Sequence, residues 1–189
     1  LLDRFMPRHE FSSYEDFAEH CRITVPEGFN FAHDVVDVYA AETPDKTALV
    51  WCDDGPDTVR YSFREMALAA NRAANAFRKL GIGKGDPVML ILKGRHEFWP
   101  ALLALHKLGA IAIPATHMLT AKDIVYRIKS AGIRMILAVD SAELVRFVDE
   151  AQAECPDLTV KAKLGGDAPG WSSWNEACAA AAPEFARLA

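Results

Sequence analysis

Residues 107–119, KLGAIAIPATHML, carry an apolar run into a proline and then set Ala115, Thr116, His117 and Met118 ahead of a helix signal at Thr120. A hydroxyl and an imidazole at the end of a buried strand stand where ligands bind in open α/β sheets, beyond the carboxyl ends of the strands. Three other stretches have the same form: Lys93-Gly94-Arg95-His96, Asp140-Ser141 and Gly165-Gly166-Asp167. Together these junctions nominate Arg95, His96, Thr116, His117 and Asp140 as ligand-facing. The chemistry they suit is binding. Helices starting at this edge aim free N–H groups at it, which favours an anion. The plain alternative for each residue is helix capping, since every parallel sheet needs such junctions.

Other groupings carry less. Gly81-Ile82-Gly83-Lys84-Gly85-Asp86 fits neither GxGxxG nor the GxxxxGK-Ser/Thr phosphate loop, and it lies after a helix and before a strand. It reads as a tight turn. The six histidines, His9, His20, His33, His96, His106 and His117, show no metal-ligand spacing, so no metal residue is assigned. There is no GxSxG, and no cysteine sits at a basic junction, so no catalytic nucleophile is assigned. Glu15-Asp16 and Asp149-Glu150 are neighbours on helices and point apart, as solvated faces.

The elements that must position the junctions follow from periodicity. In the amino-terminal arm, Ser12 and Glu15 have the spacing of a capping box, and Val25-Pro26-Glu27-Gly28 breaks the chain. FNFAHDVVDVYAAET (29–43) places Phe31, Val35, Val38 and Tyr39 at helical spacing and stops at Thr43-Pro44. KTALVWCD (46–53) and TVRYSF (58–63), joined by Asp54-Gly55-Pro56-Asp57, predict a short β-hairpin. Ser62 and Glu65 then cap a helix that runs to Gly81.

After it, VMLIL (88–92), IAIP (111–114), RMILAV (134–139) and TVKAKL (159–164) alternate with helices near 96–108, 120–132, 141–154 and from Ser173. Short apolar runs alternating with helices predict an α/β fold, a parallel sheet sandwiched between helices on both faces.

Composition sets the bounds. With 189 residues, half of them apolar, a quarter charged and a net charge of −5, the chain has an ordinary globular composition. A net charge of −5 gives no electrostatic footprint for nucleic acid, where a basic face would be expected. No apolar run reaches the roughly 18–20 residues of a membrane span, and LLDRFMPRHEF does not read as a signal peptide. Cys21, Cys52, Cys155 and Cys178 are far apart, with no CxxC pair. They suit a reducing compartment, and the cytoplasm is the expectation.

The stretches FNFAHDVVDVYA (29–40), YSFREMALAANRAANAFRKLGIGKGDPVMLIL (61–92) and, most specific, EFWPALLALHKLGAIAIPATHMLTAKDIVYRIKSAG (97–132) resemble the amino-terminal part of AMP-forming acyl-CoA synthetases, the adenylate-forming family. They look closest to its acetyl- and medium-chain branch. The resemblance implies a two-step reaction: a carboxylic acid attacks ATP to give an acyl-adenylate and pyrophosphate, and coenzyme A then displaces AMP. Mg2+ is implied with the ATP. The helix signals before the Pro26 break set apart a helical arm over 1–28, and the resemblance implies that 29–189 is part of the synthetase amino-terminal domain, ending short of the Ser/Thr/Gly-rich phosphate-binding motif.

On that reading the chain alone is inactive, and its partners are the carboxylic acid, ATP, CoA and the remainder of the synthetase. Thr116, His117 and Met118 match the loop that borders CoA entry, with Met118 where relatives carry a glutamine. Arg146 falls near the arginines that meet CoA phosphate. Two other readings stay open: a free-standing flavodoxin-like nucleotide-binding module, and a non-catalytic truncated partner of a synthetase. The acid (acetate, medium-chain or aromatic) and formation of a homo-oligomer are open too.

Overall fold

A computed structural model describes residues 2–166 and 168–188. The arm holds α1 (Tyr14–His20), which buries none of its residues. Its cap is Ser13, one residue beyond the expected Ser12. The Asp16 carboxylate decides between the two serines. It accepts from both the Ser12 N–H (2.9 Å) and the Ser12 hydroxyl (3.0 Å), leaving Ser13 to take the Asp16 N–H.

The helix expected at 29–43 begins with a π-helical turn, Ala32–Asp37, that runs into α2 (Val38–Glu42). The Asn30 side chain opens this turn by accepting from the N–H groups of Ala32 and His33. The wider winding buries Ala32 and Val36 rather than the face read from a 3.6-residue period.

β1 (Thr47–Cys52) and β2 (Thr58–Ser62) form the expected antiparallel hairpin. α3 (Phe63–Lys79) follows with both bonds of the Ser62–Glu65 capping box in place. The asparagines of α3 have a structural use. Asn71, Arg72 and Asn75 donate to the carbonyls of Ala179, Ala181, Ala182, Pro183 and Glu184, and so strap the carboxyl-terminal segment along the helix.

The main sheet contains β3 (Pro87–Ile91), β4 (Ile111–Pro114), β5 (Met135–Ala138), β6 (Val160–Lys163) and a two-residue β7 (Ser172–Ser173). All neighbours are parallel, in the order β4-β3-β5-β6-β7. β7 has no sequence signal, because two serines are too few for a period. Side chains alternate along β3. Val88, Leu90 and Leu92 pack with Phe77, Leu105 and Trp174 on one face, and Met89 and Ile91 pack with Ile124, Ile128 and Val148 on the other.

The first face is covered by α3, α4 (Phe98–Leu108) and α7 (Trp174–Ala179). The second is covered by α5 (Ala121–Ala131) and α6 (Ala142–Glu154). Gly109 and Gly132 end α4 and α5 in the left-handed conformation, where glycine carries no Cβ penalty. The chain leaves β3 toward β4 on one side and returns to β5 on the other. The crevice at that reversal, beyond the ends of β3 and β5, is where such sheets bind ligands.

Candidate functional site

A cavity of about 750 Å³ opens at this switch point, and Lys93, Arg95, His117, Met118, Asp140 and Glu143 are among the residues in its wall. A second of about 540 Å³ adjoins it, sharing Lys93, Arg95 and His117 and adding Thr116, Phe98 and Trp99. The structure thus gathers Arg95, Thr116, His117, Met118 and Asp140 along one edge. Thr116 shapes the loop, its hydroxyl accepting the Met118 N–H at 3.3 Å, while Met118 is left 75% exposed. Thr120 then starts α5 with a capping box to Asp123.

Asp140 has an internal partner. Its carboxylate accepts from Lys163 Nζ at 2.8 Å, and that lysine side chain is only 5% exposed. A buried ammonium requires such compensation. The carboxylate lies directly over Gly165, where an added Cβ would meet Asp140 Oδ2 at 2.9 Å and φ is +79°. A glycine is therefore required at 165. Asp167, in the same loop, lies outside the described residues.

His96 and Arg146 stand apart from the cavity. His96 turns toward the hairpin, its Nδ1 3.0 Å from the Tyr61 hydroxyl and its ring edge-on to Trp51 at 5.4 Å. Burial lowers the His96 pKa and raises that of Tyr61. Both are thus neutral near pH 7. Arg146 is exposed on α6, paired with Glu150 at 2.7 Å and lying over the ring of Phe147.

Sequence reasoning passed over Lys93, Glu97 and Trp51. Lys93 and Glu97 flank the nominated Arg95, and Glu97 pairs with it at 3.3 Å. A basic residue next to a glycine after an apolar run was the available signal for Lys93. Trp51 had none. It comes from β1, 43 positions away, and its indole N–H donates to the Gly94 carbonyl at 2.7 Å.

Among the described residues no cluster of three or more His, Cys, Asp or Glu forms a metal site, and no helix is long and apolar enough to cross a membrane. The cysteines are free thiols, and burial pushes Cys178 up to about 12.

Comparison with known proteins agrees with this geometry. Mouse acyl-coenzyme A synthetase ACSM5, mitochondrial, is 35% identical over 170 residues, covering 86% of this chain and 29% of that protein. Human acyl-coenzyme A synthetase ACSM4, mitochondrial, is 37% identical over 160 residues, covering 82% and 27%. The chain therefore spans less than a third of the length of these curated relatives. In fold it is similar to the anthranilate CoA ligase AuaEII, solved in complex with anthranoyl-AMP. The TM-score is 0.73 at 22% identity, over 87% of this chain and 30% of that one. The family model for the AMP-binding enzyme matches residues 36–186. A match over most of the chain, on a parallel sheet whose cavity opens at its switch point, makes this protein a member of the AMP-binding enzyme family.

Proposed function

We propose that this chain is part of an ATP-dependent, AMP-forming acyl-CoA synthetase, and that its switch-point cavity is a wall of the coenzyme A site. One observation carries the reading: Arg95, His117 and Asp140, nominated from separate junctions, line one cavity at the sheet edge together with Met118, which the resemblance places at CoA entry. In the parent protein a carboxylate oxygen attacks the α-phosphorus of ATP, pyrophosphate leaves, and an acyl-adenylate forms. The CoA thiol then attacks the acyl carbon and AMP departs with its phosphate oxygen.

Mg2+ belongs to this reaction with the nucleotide, and the described residues offer no resident metal site. The chain's share is to border the CoA path. Thr116 shapes the loop, His117 and Met118 face the thioester-forming partner, and Arg95, paired with Glu97, stands in the cavity wall. Residues 1–28 act as an arm and 29–189 as part of the amino-terminal domain, with the adenylating groups carried by the remainder of the synthetase. The four unbridged thiols support a reducing compartment, and we place it in the cytoplasm. The mouse and human relatives are mitochondrial by name, which makes the mitochondrial matrix the competing location.

The strand order favours one rival. β4-β3-β5-β6-β7 is the flavodoxin-like order, so a self-sufficient nucleotide-binding module is the second reading. Calorimetric titration of the chain with CoA, and separately with ATP plus Mg2+, separates the two. Weak CoA binding that His117→Ala abolishes, with no ATP binding, is expected. Tight ATP binding would instead establish the nucleotide module.

A further inference from the structure

The turn after β3 holds a residue that local conformation disfavours. Among the described residues Lys93 is the one non-glycine at positive φ, at 45°, and Gly94 follows at 68°. The Arg95 N–H donates to Leu92 O at 2.8 Å and closes the turn. Both central residues thus have positive φ, a pattern dominated by glycine, asparagine and aspartate. A glycine at 93 would make the same turn without strain, so the lysine side chain is the feature to explain.

That side chain lines both cavities. Most other charges of the wall are spoken for: Arg95 pairs with Glu97, and Asp140 with Lys163. Among the described residues neither Lys93 nor Glu143 has a salt-bridge partner. Removing the lysine would therefore leave the wall acidic.

A clamp from the hairpin holds the turn. Trp51 donates its indole N–H to Gly94 O at 2.7 Å, and the Arg95 guanidinium lies 5.0 Å from the Trp51 ring centroid. His96, bonded to Tyr61, packs edge-on against the same indole. Contacts from two strands of another sheet thus converge on the one strained turn of the cavity wall.

We infer that Lys93 is an anion-binding residue of this cavity, its ammonium taking a phosphate of the ligand, and that Trp51 is the positioning residue that holds the Lys93-Gly94 turn for it. The inference rests on the reading of the cavity as a CoA site for the identity of the ligand. Its chemistry, a phosphate-bearing molecule, is shared by ATP.

The test is calorimetric titration of the 189-residue chain with CoA, and separately with ATP plus Mg2+, using Lys93→Gly, Lys93→Arg, Trp51→Phe and the Lys93→Gly/Trp51→Phe pair. Lys93→Gly is expected to keep or raise the melting temperature while weakening CoA binding about tenfold, the scale of one lost charge-assisted bond. Lys93→Arg restores most of the affinity. Trp51→Phe weakens binding severalfold in the native background and has no further effect beside Lys93→Gly, because only a lysine needs holding.

Unchanged affinity in Lys93→Gly overturns the assignment of Lys93. Additive losses in the pair overturn the positioning role of Trp51. If the chain binds ATP and not CoA, and Lys93→Gly loses it, the CoA reading fails while the anion contact stands. Binding of neither by the native chain overturns both.

Discussion

Two parts of this molecule place charges beside a cavity, and they treat them differently. At the switch point, Lys93 reaches a polar cavity from a strained turn with no carboxylate partner among the described residues. At the other, the π-helical turn meets α4 beside an apolar cavity of about 370 Å³ walled by Phe31, Tyr39, Trp99 and Leu102 among others. There the charges are consumed internally. Lys107, with a side chain only 1% exposed, donates to Asp37, which also takes His33 Nδ1 at 2.9 Å. The difference separates two uses of a cation near a cavity. Compensated inside the chain it fixes how elements pack; held uncompensated at a cost in backbone strain, it is available to something from outside.

The largest effect should come from breaking the compensated cluster, and the two halves of the pair should not be equivalent. Burial lowers the Lys107 pKa despite the opposing pull of Asp37, so the attraction does not fully repay the desolvation of the ammonium. Asp37, in contrast, keeps 32% of its side chain in solvent. Asp37→Ala strands a buried ammonium and removes the partner of His33, and should cost about 3 kcal/mol. Lys107→Met leaves a carboxylate that water still reaches, and should cost about 1 kcal/mol or less. Urea denaturation measures both. Equal losses would mean that the ion pair, rather than the burial of Lys107, governs this face.

This contrast marks where the sequence is legible. Features set by residues three or four apart were readable: the Ser62–Glu65 and Thr120 caps, the Gly109 and Gly132 stops, the hairpin turn and the strand-to-helix alternation. The junction residues were readable as a set because the alternation alone places them on one edge. What escaped depends on contacts far apart in the chain. Trp51 meets Gly94 across 43 positions and Lys107 meets Asp37 across 70. The π-helical turn escaped because a 3.6-residue period was assumed where Asn30 sets a wider one. His96 was nominated by position alone, and its partner on β2 turned it away from the cavity.

Acid should act first through buried histidines on both sides of the comparison, His33 and His106 beside the apolar cavity and His96 beside the Lys93 turn. His33 and His106 are both lowered by burial, His33 further by Lys107. The neutral forms are thus favoured in the fold. Their contribution is fully present above the ordinary value of 6.5 and is lost as pH falls through the depressed values. Asp34, Asp86 and Asp123 are lowered from 3.8, by Arg187, by Arg134 and by Thr120 respectively among the causes. They hold their contribution down to that value and lose it only below. Urea midpoints should therefore fall between pH 7 and 5, and again below pH 4. His106→Leu should shrink the first step, since its Nδ1 is buried without a partner among the described residues. A first step unchanged in that variant would assign it to other groups.

The smallest effect sharpens the other side of the comparison. Arg146 is a cation on a helix that borders the switch-point cavity, yet it lies over the Phe147 ring and is not among the residues of the cavity wall. It is exposed, unstrained, and satisfied by Glu150 one turn along α6 at 2.7 Å. An exposed i,i+4 pair contributes only about 0.3–0.5 kcal/mol, and its guanidinium is screened by solvent from a ligand in the cavity. Arg146→Ala should change stability by less than about 0.5 kcal/mol and CoA affinity by less than about twofold. A tenfold loss on Arg146→Ala, matching that expected for Lys93→Gly, would show that an internally paired surface cation can serve the ligand as well as a strained, unpaired one. The distinction between compensated and available charge would then no longer predict which residues bind.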